Sequence, residues 1–330
     1  MQRQQEITVW LQSLAPGRSF TLAPASADAS FRRYFRVSYN DGATQIVMDA
    51  PPSHEDCKPW LHVQDLFARA GVHVPKVLAI DLERGYLLLS DLGSQTYLPV
   101  LDAESAPALY ADAVDALLAL QLASQPGQLP EYNEALLRRE LDLFPEWYLG
   151  KHLGVTLNDK QTVMLEKTFR RIMDVNLAEP QVYVHRDFHS RNLMVTIPNP
   201  GVIDFQDAVY GPISYDLVSL FKDAYISWDE ELIIDWLVRY WEKARKLGLP
   251  VRDDFGDFYR DYEWMGVQRH LKVLGIFARL YHRDGKDGYL KDMPLVAAYL
   301  RKACHRYEAL HPLLRLLDQV EGVVPTGLGF

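Results

Sequence analysis

Cysteine is scarce in this 330-residue chain, which carries Cys57 and Cys304 and no others. Two thiols so far apart cannot build a disulfide framework, and they suit a reducing cytosol. Long apolar runs are missing too: none approaches the ~20 residues that a bilayer span requires. The first 14 residues lack an uninterrupted apolar core and a small-residue cleavage site. They are expected to form a short amphipathic helix with Ile7, Trp10, Leu11 and Leu14 on one face, not a targeting signal. No run of Lys or Arg occurs, and the formal net charge of −9 argues against a phosphate-neutralising surface for nucleic acid. The expectation is a cytoplasmic protein without a nucleic-acid or membrane partner, and no protein partner is implied.

What is present is ordinary globular material, 48% hydrophobic and 24% charged, which excludes wholesale disorder. The length exceeds what one core usually organises, so two lobes are expected. Residues 1–92 read as short strands (Phe20–Pro24, Arg33–Tyr39, Thr44–Met48, Val77–Ile80, Tyr86–Leu89) and one helix. That helix has Pro59 in its first turn, turns Trp60, Val63, Phe67 and Ala70 inward, and stops at Gly71. After the polar break Ser90-Asp91-Leu92-Gly93, residues 93–330 are mainly helical in period: Ala103–Ala123, Tyr132–Lys151, Leu157–Asn176, Ser214–Ile226, Asp229–Leu247, Asp254–Leu280 and Pro294–Leu317. The fold class is α+β, a small antiparallel-sheet N-lobe joined to a larger helical C-lobe. A cleft between lobes is where a ligand usually sits.

Val184–Gly211 interrupts the helices. Leu193–Ile197 and Gly201–Phe205 are apolar and β-branched, with turn chemistry at Pro198-Asn199-Pro200-Gly201 between them. Folding that hairpin brings Asp187, Asn192 and Asp204 to one end. His185-Arg186-Asp187 followed by Asn192 matches the H-R-D-x-x-x-x-N spacing of kinase catalytic loops. The chemistry explains the residue types. One carboxylate orients the acceptor hydroxyl, an amide oxygen binds Mg²⁺ without adding charge, and a second carboxylate bridges the ions on the nucleotide phosphates. Taken singly, each is an ordinary turn residue; three in register around one hairpin are not.

The sheet lobe, Asp91–Gly93, the His185–Asn192 loop, Ile203–Ala208 and Gly211–Leu217 together resemble the aminoglycoside phosphotransferase and choline kinase superfamily, small-molecule relatives of protein kinases. The likeness covers nearly the whole chain and implies a bilobal protein-kinase-like fold. It makes Asp187 the catalytic base and Asn192 and Asp204 the Mg²⁺ ligands, with ATP or another nucleoside triphosphate as donor. His185 becomes a packing and hydrogen-bonding prop. Asp216 holds the catalytic loop through backbone N–H groups or is merely a helix-terminal charge. Asp207 either faces the acceptor or completes the polar turn. On the nucleotide side no G-x-G-x-x-G occurs; Ser26, Ala27, Asp28, Ala29 and Ser30 form the candidate phosphate-covering loop, otherwise an ordinary hairpin loop. The backbone around Asp91 and Leu92 is expected to bond the adenine edge. The third strand lacks the lysine that kinases place there, and its helix lacks the partner Glu. Arg32, Arg33, Arg36 and Lys58 are the candidates to replace that charge.

Within the superfamily, Asp28–Val37, Val47–Pro52, Leu143–Leu149 and Gln268–Asp284 resemble the bacterial cell-wall-recycling kinases that phosphorylate the anomeric hydroxyl of N-acetylmuramate and N-acetylglucosamine. N-acetylmuramate carries a carboxylate, which calls for a cation. Arg269 and His270 are the candidates, with solvated helix charges as the alternative. Glu146 and Trp147 are candidates to line the acceptor pocket, with core packing as the alternative. Two rival functions use the same residues. A metal-dependent hydrolase would ligate a transition metal with His185, Asp187 and His189. A nucleotide-sensing pseudokinase would account for the missing lysine but not for an intact base and both metal ligands.

Overall fold

The computed structural model describes residues 2–27 and 31–322. Its N-terminal lobe is a five-stranded antiparallel sheet of β1 (Phe20–Ala27), β2 (Arg33–Tyr39), β3 (Thr44–Asp49), β4 (Val77–Asp81) and β5 (Tyr86–Ser90), in the order β1-β2-β3-β5-β4. Side chains alternate across a strand, so Phe35, Val37, Tyr39, Val47, Tyr86 and Leu88 share a cluster with Ile7, Trp10 and Leu11 of α1 (Gln2–Leu14). Leu14, in the last turn of α1, is 44% exposed. Met48, Leu87 and Leu89 belong instead to a larger core with Trp60, Val63 and Phe67 of α2 (Cys57–Arg69). Trp60 and Phe67 meet the Phe205 ring at centroid separations of 5.0 and 5.7 Å, carrying this core into the C-terminal lobe.

That lobe contains α3 (Ala106–Leu122), α4 (Glu134–Leu141), a π-helical segment Phe144–His152, α5 (Asp159–Leu177), α6 (Tyr215–Phe221), α7 (Glu230–Lys246), α8 (Phe255–Asp284), α9 (Met293–Arg306) and α10 (His311–Glu321). Proline interrupts two stretches expected to be helical. α4 ends at Leu141, four residues before Pro145, whose ring lacks an N–H and would collide with the Leu141 carbonyl. The chain breaks again ahead of Pro312, which sits in the first turn of α10. The 30-residue α8 is the lobe's central beam, capped by Asp254 and closed by Gly285 at φ +66°. Gly275 lets the backbone of Leu143 come close; a Cβ there would lie 2.5 Å from the Leu143 carbonyl.

Two short ladders frame the site: β6 (Gln181–Val184) pairs with β9 (Val209–Pro212), and β7 (Leu193–Met194) pairs with β8 (Gly201–Val202). The hairpin ladder is shorter than the apolar runs suggested, because Pro198 and Pro200 have no N–H to extend it. Backbone bonds strap it to the rest of the chain: Tyr97 N–H to Leu193 O, Val195 N–H to Gln95 O and Val202 N–H to His73 O, each 2.8 Å.

Candidate active site

The loop after β6 turns on Arg186, which takes a left-handed φ of +78°. A non-glycine residue there stores strain and needs support. Asp216, in the first turn of α6, provides it: one carboxylate oxygen accepts from His185 N–H at 2.6 Å and the other from Arg186 N–H at 2.9 Å. Burial pushes the Asp216 carboxyl up to about 7 despite those two donors. His185 is also buried. Its Nε2 lies 3.0 Å from Ile203 O, and its Nδ1 accepts from Asp187 N–H at 3.2 Å, so both ring nitrogens are used within the loop. Burial lowers its pKa to about 4, which keeps the ring neutral. A ring spent in this way is not available as a transition-metal ligand. Among the described residues no three His, Cys, Asp or Glu side chains gather as a metal cluster.

Asp187, Asn192 and Asp204 do come together. The Asn192 amide nitrogen donates to Asp187 O at 3.0 Å and to Asp204 Oδ2 at 3.3 Å. Asp204 also has a left-handed φ, +65°, and its Oδ1 accepts from Gln206 Nε2 at 2.9 Å. Burial alone would raise the Asp187 carboxyl, but Lys272, His189, Arg269 and Arg186 outweigh it and hold the pKa at about 2. Glu140 of α4 organises two of those cations. It pairs with Arg186, lies 3.2 Å from Lys272 Nζ and accepts from Gln268 Nε2 at 2.9 Å. Asn192 and Asp204 open onto a cleft of about 490 Å³, whose other walls include Ala25, Ile46, Leu89 and Ser90–Ser94.

Residues 21–249 match the phosphotransferase enzyme family. The chain belongs to that family. It is 51% identical, over 100% of its length and 99% of the relative's, to the N-acetylmuramate/N-acetylglucosamine kinase of Neisseria meningitidis serogroup B. Its identity to the like-named kinase of Pseudomonas aeruginosa is 50%, over 96% of each chain. Among solved structures it resembles choline kinase LicA from Streptococcus pneumoniae (TM-score 0.65, 12% identity, 92% of this chain and 100% of that one). It also resembles an ADP-bound aminoglycoside phosphotransferase (TM-score 0.60, 16% identity, 89% and 96%). The fold is thus the protein-kinase-like one, and the chain is a small-molecule kinase.

For a phosphotransferase of this family, the other expected residues are distributed as follows. Asp91 and Leu92 line the cleft. Asp91 holds Arg36 through bonds of 2.6 and 3.0 Å and accepts from Gly93 N–H. Ser26 and Ala27 close β1; Asp28, Ala29 and Ser30 lie outside the described residues. Of the candidate replacements for the strand lysine, Arg36 alone is in the cleft lining, and Asp91 ties it down. Arg33 joins Arg3 on the buried Asp49, Arg32 pairs with Glu55 at 3.6 Å, and Lys58 is exposed.

The acceptor-side expectations fare less evenly. Asp207 is exposed beside Gln206, with its carbonyl accepting from Arg186. Glu146 is exposed, and half-buried Trp147 packs on the core; neither is in the cleft lining. His270 is buried, stacked on Tyr299 at 5.2 Å, and burial keeps it neutral. Arg269 is 3% exposed; its Nε and one terminal nitrogen have no hydrogen-bond partner among the described residues. Sequence reading overlooked Glu140, whose role depends on a contact across 46 residues to Arg186, and Arg191, which lines the cleft beside Asn192.

Proposed function

We propose that this kinase transfers the γ-phosphoryl group of ATP to the anomeric hydroxyl of N-acetylmuramate and N-acetylglucosamine, a cytoplasmic step of peptidoglycan recycling. The observation that carries the proposal is end-to-end identity of about half to relatives of that name, in a chain that retains the Asp187–Asn192–Asp204 convergence.

The donor set suits Mg²⁺. The Asp204 carboxylate and the Asn192 amide oxygen are hard oxygen ligands, too few for an all-protein cage and matched to an ion that keeps waters and phosphate oxygens. When bound, Mg²⁺ neutralises charge on the phosphates of the nucleoside triphosphate. Asp187 stays ionised and accepts a hydrogen bond from the sugar hydroxyl, fixing its oxygen in line with the phosphorus. As that oxygen bonds to phosphorus, the bond to the bridging oxygen of ADP breaks and the hydroxyl proton passes to Asp187. Neighbouring cations depress the Asp187 pKa and make it a weak base, so orientation is its main contribution. His185 and Asp216 act on this step indirectly, by fixing the loop.

The test is an ADP-release assay of the purified protein with ATP and Mg²⁺ over both amino sugars, choline and an aminoglycoside, with the product identified by phosphorus NMR as a 1-phosphate. Asp187→Asn should lower turnover by at least ~10²-fold while nucleotide binding persists. Near-normal turnover in that variant, or preference for choline or aminoglycoside, would sink the proposal.

A further inference from the structure

Beyond Asn192 and Asp204 the cleft has an aromatic and cationic end. His189, Arg191, Tyr225 and Tyr289 line it, drawn from the catalytic loop, the segment after α6 and the turn before α9. The Arg191 guanidinium lies 3.5 Å from the centre of the Tyr225 ring and 6.0 Å from that of Tyr289. Tyr225 is itself held: its ring meets His189 edge-on at 5.4 Å, and its N–H donates to Asp223, which also accepts from Ser190 N–H. Stacking fixes the plane of a guanidinium and leaves the N–H donors on its rim to a ligand.

Those donors are poorly used. The nearest carboxylate is Asp292, at 3.9 Å, beyond hydrogen-bond range, and its Oδ2 has no hydrogen-bond partner among the described residues. Arg36, the other arginine of the cleft lining, is held along one edge by both oxygens of Asp91 and also donates to Gly93 O. Arg269, the cation suggested by sequence, is 3% exposed and is not in the cleft lining. We infer that Arg191, stacked on Tyr225, anchors the carboxylate of a carboxylate-bearing amino-sugar acceptor, with Tyr225 and Tyr289 walling the sugar. This rests on the amino-sugar reading above and adds to it a determinant that separates N-acetylmuramate from its neutral counterpart. No bond is made or broken by Arg191. Its contribution is binding, through charge-assisted hydrogen bonds to a planar carboxylate.

The experiment compares the full chain with Arg191→Met and Arg191→Lys at saturating ATP and Mg²⁺. It measures kcat/KM for N-acetylmuramate and N-acetylglucosamine and, separately, KM for ATP at fixed sugar, together with calorimetric binding of each sugar in the presence of a non-hydrolysable ATP analogue. For Arg191→Met, the N-acetylmuramate to N-acetylglucosamine ratio of kcat/KM should fall roughly 10- to 100-fold, mainly through KM, with a parallel loss in binding. Arg191→Lys should recover part of that ratio. Equal losses for both sugars, with a raised KM for ATP, would instead place Arg191 on the nucleotide phosphates and overturn the anchor while leaving the sugar-kinase reading intact. An unchanged ratio overturns the anchor as well. A wild-type protein that neither binds nor phosphorylates either sugar overturns both.

Discussion

Arg269 shows how the charge on Asp187 is maintained from outside its own loop. Arg269 is nearly fully buried on α8, its Nε and one terminal nitrogen without a hydrogen-bond partner among the described residues, yet its charge helps hold Asp187 ionised. A buried cation with unmet donors is costly, so Arg269 is not expected to stabilise the fold. Arg269→Met should therefore leave the thermal midpoint equal or higher. It should also raise the Asp187 pKa, because a positive neighbour has been removed. A carboxylate must be ionised to orient the hydroxyl, so the acid limb of kcat/KM should move to higher pH. The loss of activity should therefore grow as the pH falls and be greatest at the lowest pH at which the protein stays folded. A clear drop in melting temperature with an unmoved acid limb would show that Arg269 is structural. Asp187 also contributes to stability within a defined pH window. Its folded pKa is below the unfolded value, so its stabilising contribution is present above about pH 4 and is lost as pH falls towards about 2.

Among the elements, α8 decides where the other helices can go, and Gly275 is the point of closest approach. A methyl group there would collide with the backbone and Cβ of Leu143, which immediately precedes the π-helical segment. Ala gains roughly 0.5–1 kcal/mol over Gly within a helix, whereas overpacking costs about 1–3 kcal/mol. Collision with a backbone, which cannot swing aside, favours the upper end. Gly275→Ala should lower the melting temperature; an unchanged or higher midpoint would mean that the segment gives way. Nothing in the sequence around Gly275 announces this contact, and the reason is general. The convergence of Asp187, Asn192 and Asp204 was legible because the triad lies within one hairpin, where local spacing dictates geometry. The supports of that triad were not. Glu140 reaches Arg186 and Lys272, and Arg191 meets Tyr225 and Tyr289, across separations that only tertiary packing sets. His270 and Trp147 misled for the converse reason: a polar or aromatic residue on a central helix is as readily buried as presented. Helix ends were legible where glycine stopped the helix, as at Gly71 after α2, and were missed where proline broke it: the expected helix ran through Pro145, although α4 has already ended at Leu141.

At the scale of the molecule, the two lobes share one core. The sheet's private cluster with α1 has nine buried residues, whereas its other face joins α2 in a cluster that continues through Phe205 into the helical lobe. A cluster that small leaves the N-terminal lobe dependent on contacts it does not own. Backbone bonds from His73 and the Gln95–Tyr97 connector to the catalytic hairpin tighten the dependence. Calorimetry should accordingly show one unfolding transition, although a chain of this length often shows more. Its calorimetric and van't Hoff enthalpies should agree. The cleft draws walls from both lobes, so a nucleotide held there would stabilise the whole unit. With Mg²⁺ present, ATP at a hundred times its Kd should add about 2.7 kcal/mol and move the single peak without splitting it. Two resolved peaks, or a nucleotide that shifts only part of the heat absorption, would show that the sheet lobe melts on its own. The Trp60–Phe205 and Phe67–Phe205 contacts would then be a docking surface between separable units.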